Sequence, residues 1–499
     1  MKFSIKFPTP YTVLMIAIAL SALATWLLPA GSYDRMTYNS DANTFEIQSV
    51  DSRKTIDANQ DFLTKNGIII PLETFKSGKI SKPISIPNTY QEVNSKKQGL
   101  LDVLYAPIKG IYDSIDVILF VLIIGGFIGV FNKSGAFDEG VGHLSVKLKG
   151  RESILIIIVT SLIALGGTTF GLAEETLAFY PILVPVFLAA GYDLVVPVAV
   201  IYIGSSIGTM ASTVNPFSTI IASDAAGINW TVGLSSRLAM LVFGTGMCIW
   251  YIMRYANRIK KDPTKSLLYG TKLENPFAKS VKNGGDVPVL TNTSRLLLVL
   301  FALTFVIMIY GVSFQGWWFK EMTALFLVAA VVMAVLQKLG EQNFIKYFIQ
   351  GSRDLLGVSF IIGIARGVTF VLNEGMIADT ILYNATNLVE GIPPMLFLPV
   401  LMGVFFVLTL FISSSSGMAV VTMPIMSSLA PVVGVPPEEI VNSYLFGMGL
   451  MSFITPTGLI LPSLAMVNVN YNVWLKFVWP LMAMLALLAF VILWAGLYF

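Results

Sequence analysis

The chain has 499 residues, 55% of them hydrophobic and only 12% charged, with a mean hydropathy of +0.76. Soluble domains carry about a quarter charged residues, so the composition is that of an integral membrane protein. A formal net charge of +3 and no long basic run argue against a nucleic-acid partner, one cysteine (Cys248) excludes an intramolecular disulfide, and one histidine (His143) excludes histidine-clustered metal sites; a Ser-His-Asp arrangement is not expected, because His143 falls in a polar connection between spans.

Lys2 and Lys6 precede an apolar run at 11–28. It is longer than the usual core of about 7–15 residues in a signal peptide, so residues 1–30 read as a retained first span with a cytoplasmic N-terminus. Residues 31–100 are polar and form an extracytoplasmic segment, with strand-like pieces at 66–71 and 82–87. An interfacial helix is expected at 100–114 and a second span at 115–131. The loop after it holds Lys133, Lys147, Lys149 and Arg151, the basic excess of a cytoplasmic loop, and 136–148 has the pattern of a helix lying in the interface.

The next apolar run is interrupted. It enters at 154–165, breaks at Gly166, Gly167, Thr168 and Thr169, passes Gly171 and the adjacent acids Glu174 and Glu175, and returns at 176–190. Broken backbone survives at bilayer depth only inside protein or beside water, and an acid within a span costs about 2.5–3.5 kcal/mol on insertion scales, which marks a functional site. A helix at 195–210 then breaks at 212–217, where Pro216 cannot donate and pushes Asn215 out of helical geometry. A span at 232–255 ends in Arg254, Arg258, Lys260 and Lys261, again cytoplasmic, and 257–295 is a polar cytoplasmic linker.

The second half, 296–499, has spans at 296–310, 323–336 and 356–372, with Lys338, Lys346 and Arg353 on the cytoplasmic side between the last two. A polar segment follows at 373–390. The apolar run 395–412 breaks at 413–417 and returns to Gly434, the helix 441–451 leads into a break at 453–458, and the last span covers 473–498.

The two halves match when one is slid over the other: Pro181 falls on Pro424, Gly191 on Gly434 and Trp230 on Trp474. The order of events also recurs: span, interfacial helix, broken hairpin, broken helix, final span. Counting crossings between basic loops places Asn132 inside and its counterpart Asn373 outside. The expected fold is therefore an all-α polytopic membrane protein. It has a first repeat at 101–256 with a re-entrant hairpin at 154–190, and an inverted second repeat with a hairpin at 395–434. Two broken transmembrane helices and the small outer segment complete it. Inverted repeats whose broken helices meet at the midplane are the layout of secondary transporters.

The motifs GGTTFGLAEETLAFYPILVP, STVNPFSTIIASDAAGI, SSSSGMAVVTMPI and ITPTGLILPS resemble the YfcC-like branch of the ion-transporter superfamily. That branch is grouped with DcuC-type dicarboxylate carriers and arginine/ornithine antiporters, and the similarity covers nearly the whole chain. The resemblance implies two hairpins and two unwound helices framing one substrate site per protomer, a homodimer, an elevator-like motion and residence in the plasma (inner) membrane. It leaves the substrate open between dicarboxylates and basic amino acids.

Four broken elements supply the candidate lining: Thr168, Thr169, Glu174, Glu175, Ser212, Asn215, Ser414, Ser415, Thr455 and Thr457. Half-helix N-termini suit a carboxylate, and unwound carbonyls near Thr213 and Asn215 suit a coupling Na⁺. No resident metal or cofactor is expected; H⁺ is the other candidate for coupling. Glu174 and Glu175 suit a ligand with an amino or guanidino group, a coupled cation or a proton, and otherwise would pair with Arg366, the lone basic residue within an apolar span. The expected function is a secondary-active carrier of a small amino acid, basic ones such as arginine and ornithine included, working as antiporter or symporter and not as an enzyme. A four-carbon dicarboxylate carrier is the alternative. Asp224, at the end of a broken helix, is expected to be a solvated end.

Overall fold

The computed structural model describes residues 9–78, 80, 82–136, 139–140, 152–271, 291–315, 317–389, 391–412 and 414–498. The interfacial helix expected at 136–148, with His143, Lys147, Lys149 and Arg151, lies largely outside these residues, as do most of the 257–295 linker and Ser413.

The protein is mostly helical, and among the described residues ten helical stretches are long and apolar enough to cross a membrane. They include α1 (Pro10–Leu27), α5 (Ile115–Lys133), α6 (Ser153–Phe170), α10 (Leu234–Lys261), α11 (Asn292–Val312), α12 (Phe319–Leu336), α14 (Leu356–Glu374), α16 (Pro394–Phe411) and α20 (Tyr471–Gly496); the tenth, Ser415–Val433, begins with α17 (Ser415–Met426). Large apolar side chains such as Leu20, Val242, Val299, Val328 and Leu487 lie exposed on these helices. In water such a surface would aggregate; in a bilayer it faces hydrocarbon of the same polarity.

Two long broken rods pack against each other. A 14-residue helix, α4 (Leu100–Asp113), is followed after Ser114 by the 19-residue α5. The same lengths recur later: the 14-residue α13 (Glu341–Asp354), then Leu355, then the 19-residue α14. The rods pack crosswise in pairs, α4 on α14 and α5 on α13. Glycines permit the approach: a Cβ on Gly110 would collide with the backbone of Gly363 and Gly367, and one on Gly351 with the backbone of Gly125 and Gly129. Without a hydrophobic drive between helices in lipid, small residues that let backbones meet are what hold such pairs together.

The all-α expectation is corrected in the segment after α1. Residues 31–92 contain a four-stranded sheet in the order β4-β3-β2-β5 and a two-stranded sheet β1-β6, where β1 is Gly31–Ser32, β2 Arg35–Asn39, β3 Thr44–Gln48, β4 Arg53–Asp57, β5 Ile84–Ser85 and β6 Gln91–Glu92. Of the two strand-like pieces read from sequence, 66–71 is not a strand. Its Ile68 and Ile70 are instead buried, in the same hydrophobic cluster as Met36, Phe45, Leu63 and Phe75. Within 82–87 only Ile84 and Ser85 pair, with Met36 and Arg35.

The polar segment 373–390 stands where the recurring order of events puts a second interfacial helix. It contains the helix α15 (Ala378–Val389), which anchors the sheets. Asp379 pairs with Arg35 at 2.6 Å and accepts the Tyr33 N–H at 3.0 Å, and Tyr90 stacks on Tyr383 with ring centroids 4.1 Å apart. The polarity of this segment is the polarity of a docking face. The helix α10 also runs to Lys261, into the stretch read as linker, and Asp224 is buried at 9% exposure instead of solvated.

Replacing Gly110 or Gly351 with alanine is expected to destabilise the protein by about 1–3 kcal/mol or more, because backbone cannot yield as a side chain does. Gly403, in α16, has nothing within 4 Å of an added Cβ, and Gly403→Ala should be neutral or stabilising by up to about 1 kcal/mol. Thermal unfolding of the three detergent-solubilised variants checks this contrast.

Candidate substrate site

Four helical runs break in the apolar part of the chain. The helix α6 ends at Phe170 and Gly171–Ala173 is not helical; the chain resumes in a 3-10 turn, Glu174–Phe179, and α7 (Tyr180–Ala189). The helix α8 (Val195–Met210) gives way at 211–215 before helix resumes at 216–225. The third break lies between α16 and α17, and the fourth, 453–459, between α18 (Pro437–Ser452) and α19 (Ile460–Met466). Gly171 takes a left-handed φ of 76° and lies so close to the Asn215 amide that an added Cβ would come within 2.9 Å of it. Both constraints call for glycine.

The breaks surround one cavity of about 360 Å³, a size in the range that takes a small molecule. Of the residues singled out from sequence, Glu174, Glu175, Asn215, Ser414, Ser415, Thr455 and Thr457 line it. Glu175 Oε2 accepts the Ala173 N–H at 3.1 Å. Asn215 accepts from Phe217 N–H at 2.8 Å and donates to the Gly167 carbonyl at 3.3 Å. Ser414 caps α17 by accepting the Gly417 N–H at 3.2 Å, and Ser415 donates to the Phe217 carbonyl at 3.2 Å, tying the third break to the second. Thr455 and Thr457 share a hydrogen bond of 2.8 Å.

Thr168, Thr169 and Ser212 are not on the cavity wall. Thr168 donates to the Ala211 carbonyl at 2.6 Å and accepts the Thr213 N–H at 3.0 Å, so it fastens the first break to the second. Thr169 turns back on its own helix, to the Leu165 carbonyl at 2.6 Å. Ser212 lies 2.9 Å from the Ser218 hydroxyl and accepts from Thr219 at 2.5 Å. The oxygens near Thr213 and Asn215 that suit Na⁺ are already engaged. Ser212 O accepts from Thr219 at 2.9 Å, Thr213 O from Arg237 at 3.4 Å, and Thr213 Oγ1 donates to Thr168 O at 3.2 Å. Each of these carbonyls keeps a second lone pair that a cation could share. Among the described residues no group of three or more His, Cys, Asp or Glu could hold a metal ion.

Several wall residues escaped the sequence reading. Ser205, Ser206 and Thr209 of α8 line the cavity, and their signal was the run of small polar residues in an otherwise apolar helix. Arg366 of α14, weighed above only as a partner for the glutamates, lines it too, with no ion pair to either of them among the described residues. Lys82 reaches it from the segment before β5. Arg237, fully buried, satisfies the carbonyls of Gly233, Thr213, Trp230 and Val232.

A family model described as DcuC, C4-dicarboxylate anaerobic carrier, matches residues 7–498. The chain belongs to the DcuC family. The likeness read from its motifs to YfcC-like and DcuC-type transporters holds. It is 42% identical over 496 residues to an uncharacterized protein of Haemophilus influenzae, covering 99% of this chain and 97% of that one. It is 26% identical over 512 residues to the putative basic amino acid antiporter YfcC of Escherichia coli, covering 97% and 95%. Among solved structures, the YdaH transporter of Alcanivorax borkumensis aligns with a TM-score of 0.39 at 15% identity, over 98% of both chains. MtrF of Neisseria gonorrhoeae, from a class of antimetabolite efflux pumps, aligns with 0.40 at 14%, over 99% of this chain and 96% of that one. Membership in the DcuC family makes this a multi-pass membrane transporter and points to a carrier without enzymatic chemistry.

In this DcuC-family chain the two adjacent threonines should separate by role. Thr168→Val removes the donor to Ala211 O and is expected to lower stability by about 1–3 kcal/mol. Thr169→Val forfeits only a bond within its own helix and should change stability by less than about 0.5 kcal/mol. Parallel melting curves of the purified variants make the comparison.

Proposed function

We propose that the protein is a secondary-active transporter for a small amino acid, basic ones such as arginine and ornithine included, working by alternating access as an antiporter or an ion-coupled symporter. The charge pattern of the cavity carries this reading. Glu174 and Glu175 sit on one broken segment, while Arg366 and the N-terminus of α17 belong to other elements on the same wall. An ammonium or guanidinium group complements the first, and a carboxylate complements the second, through charge and the helix dipole. The wall charges do not neutralise one another by ion pairing among the described residues, which leaves them to a ligand bearing both signs. The likeness to a putative basic amino acid antiporter supports the same substrate class.

The recurrence of a 14-residue helix, a one-residue break and a 19-residue helix, each followed later by two broken runs in the same order, supports an inverted repeat with two re-entrant hairpins. On that reading the protein is a homodimer in the inner membrane with its N-terminus in the cytoplasm, and Arg254, Arg258, Lys260 and Lys261 mark the cytoplasmic side. Exchange, H⁺ coupling and a Na⁺ bound near Thr213 and Asn215 are the coupling modes this reading leaves open.

A four-carbon dicarboxylate is the second reading. It is favoured by the description of the family model and by the two cations, Lys82 and Arg366, on the wall. Glu174 and Glu175 oppose it, since like charges close together in a poor dielectric repel strongly.

Uptake of labelled arginine, ornithine and succinate into proteoliposomes, with and without a Na⁺ gradient, separates the two readings. Saturable arginine uptake with counterflow is expected, and Glu174→Gln or Glu175→Gln should reduce kcat/KM by about 10- to 100-fold, the worth of a hydrogen bond to a charged group. Transport of succinate with no amino-acid uptake would overturn the amino-acid reading.

A further inference from the structure

The segment between α1 and α4 has so far figured only as a small sheet domain docked on α15. Its Lys82 is an exposed residue whose ammonium nevertheless reaches the cavity wall, where it donates to Ser416 Oγ at 2.7 Å. Ser416 lies in the first turn of α17, two positions past the N-cap Ser414. The backbone holds Lys82 there. Two residues on, β5 is buried, pairs with β2 and packs against α17, and β2 is itself tied to α15 by the Arg35–Asp379 pair at 2.6 Å.

This is an unfavourable place for a cation. A helix N-terminus carries about half a positive charge, and Arg366 shares the same cavity wall. Burial first, and the Arg366 guanidinium second, pull the Lys82 ammonium below the ordinary lysine range. Among the described residues no carboxylate forms an ion pair with Lys82 or Arg366. An ammonium, a guanidinium and a helix N-terminus thus share one cavity, and neither cation forms an ion pair with Glu174 or Glu175, the acids on its wall. A ligand carboxylate would relieve all three repulsions at once.

We propose that Lys82 is a substrate-binding residue: with Arg366 and the N-terminus of α17 it forms the subsite for the carboxylate of the transported molecule. The contribution is one-sided. Residues 28–99 contain no helix long enough to span among the described residues, so Lys82 stays on one face of the membrane and serves only the state whose cavity opens to that face. The proposal rests on the reading of the cavity as the transport site, and its test is arranged to fail separately from the amino-acid assignment.

The test measures binding of three probes to the purified full chain, wild type against Lys82→Gln and Lys82→Arg, by calorimetry and thermal shift. The probes are arginine, agmatine (arginine without its carboxylate) and succinate. Lys82→Gln is expected to weaken arginine by about three- to tenfold, a modest factor for a partly solvated charge. It should leave agmatine within about twofold and the melting temperature unchanged, and Lys82→Arg should restore most of the arginine affinity. If the wild type binds succinate and not arginine, the amino-acid assignment falls, and the same loss on Lys82→Gln is then expected for succinate. In oriented proteoliposomes, KM should rise only for substrate offered on the face that carries residues 31–99. Unchanged affinity for the carboxylate ligand, equal losses for arginine and agmatine, or equal KM increases at both faces would each overturn the proposal.

Discussion

The structure depends on one constraint: a helix broken inside a bilayer must find partners for its freed carbonyls within the protein, because hydrocarbon offers none. At the 211–215 break, the carbonyls of Ala211, Ser212 and Thr213 accept from Thr168, Thr219 and Arg237. At the end of α18, the carbonyls of Ser452, Phe453 and Ile454 accept from Tyr202, Trp474 and Tyr471. Nearly all of these donors come from other elements of the chain. Satisfying the breaks therefore locks separate helices together, and several of the side chains that do so, Asn215 and Ser415 among them, also line the cavity.

Charge is distributed unevenly over this framework. The first broken segment carries Glu174 and Glu175, its later counterpart carries serines, and the cations come from elsewhere: Arg366 from the central rod and Lys82 from the sheet segment. Arg366 lies between Gly363 and Gly367, whose contacts with Ile111 and Ala106 set how closely α14 can approach α4. A packing requirement for small residues and a charged side chain on the cavity wall thus meet on the same few turns of helix. The cavity thus presents a few charged side chains of both signs among backbone and hydroxyl groups.

Much of the membrane part was legible in the chain itself. Apolar runs of about 20 residues have few alternatives to spanning, and glycine, proline and threonine clusters within them mark broken helix wherever they occur. The sheet segment was not legible. Its strands are two to five residues long and largely polar, so neither alternation nor composition distinguishes them from loop. The helix bearing Asp379 was legible only through the recurring order of events; its docking to Arg35 and Tyr33 was not.

At the site, the sequence determined which kinds of group are available: four breaks, their hydroxyls and two adjacent acids, because residue type and helix breaking are local properties. Tertiary structure decided which of those groups reach the cavity. Thr168 and Ser212 were correctly placed on broken segments but turn to neighbouring backbone, because neighbouring positions on a helix point about 100° apart and the orphaned carbonyls claim whichever hydroxyls lie nearest. Tertiary structure also brought in Lys82, far from any break in sequence, through the pairing of β5 with β2 and its packing on α17. The acids that first marked the site are local in origin, whereas the cations facing the same cavity are there because distant segments pack together.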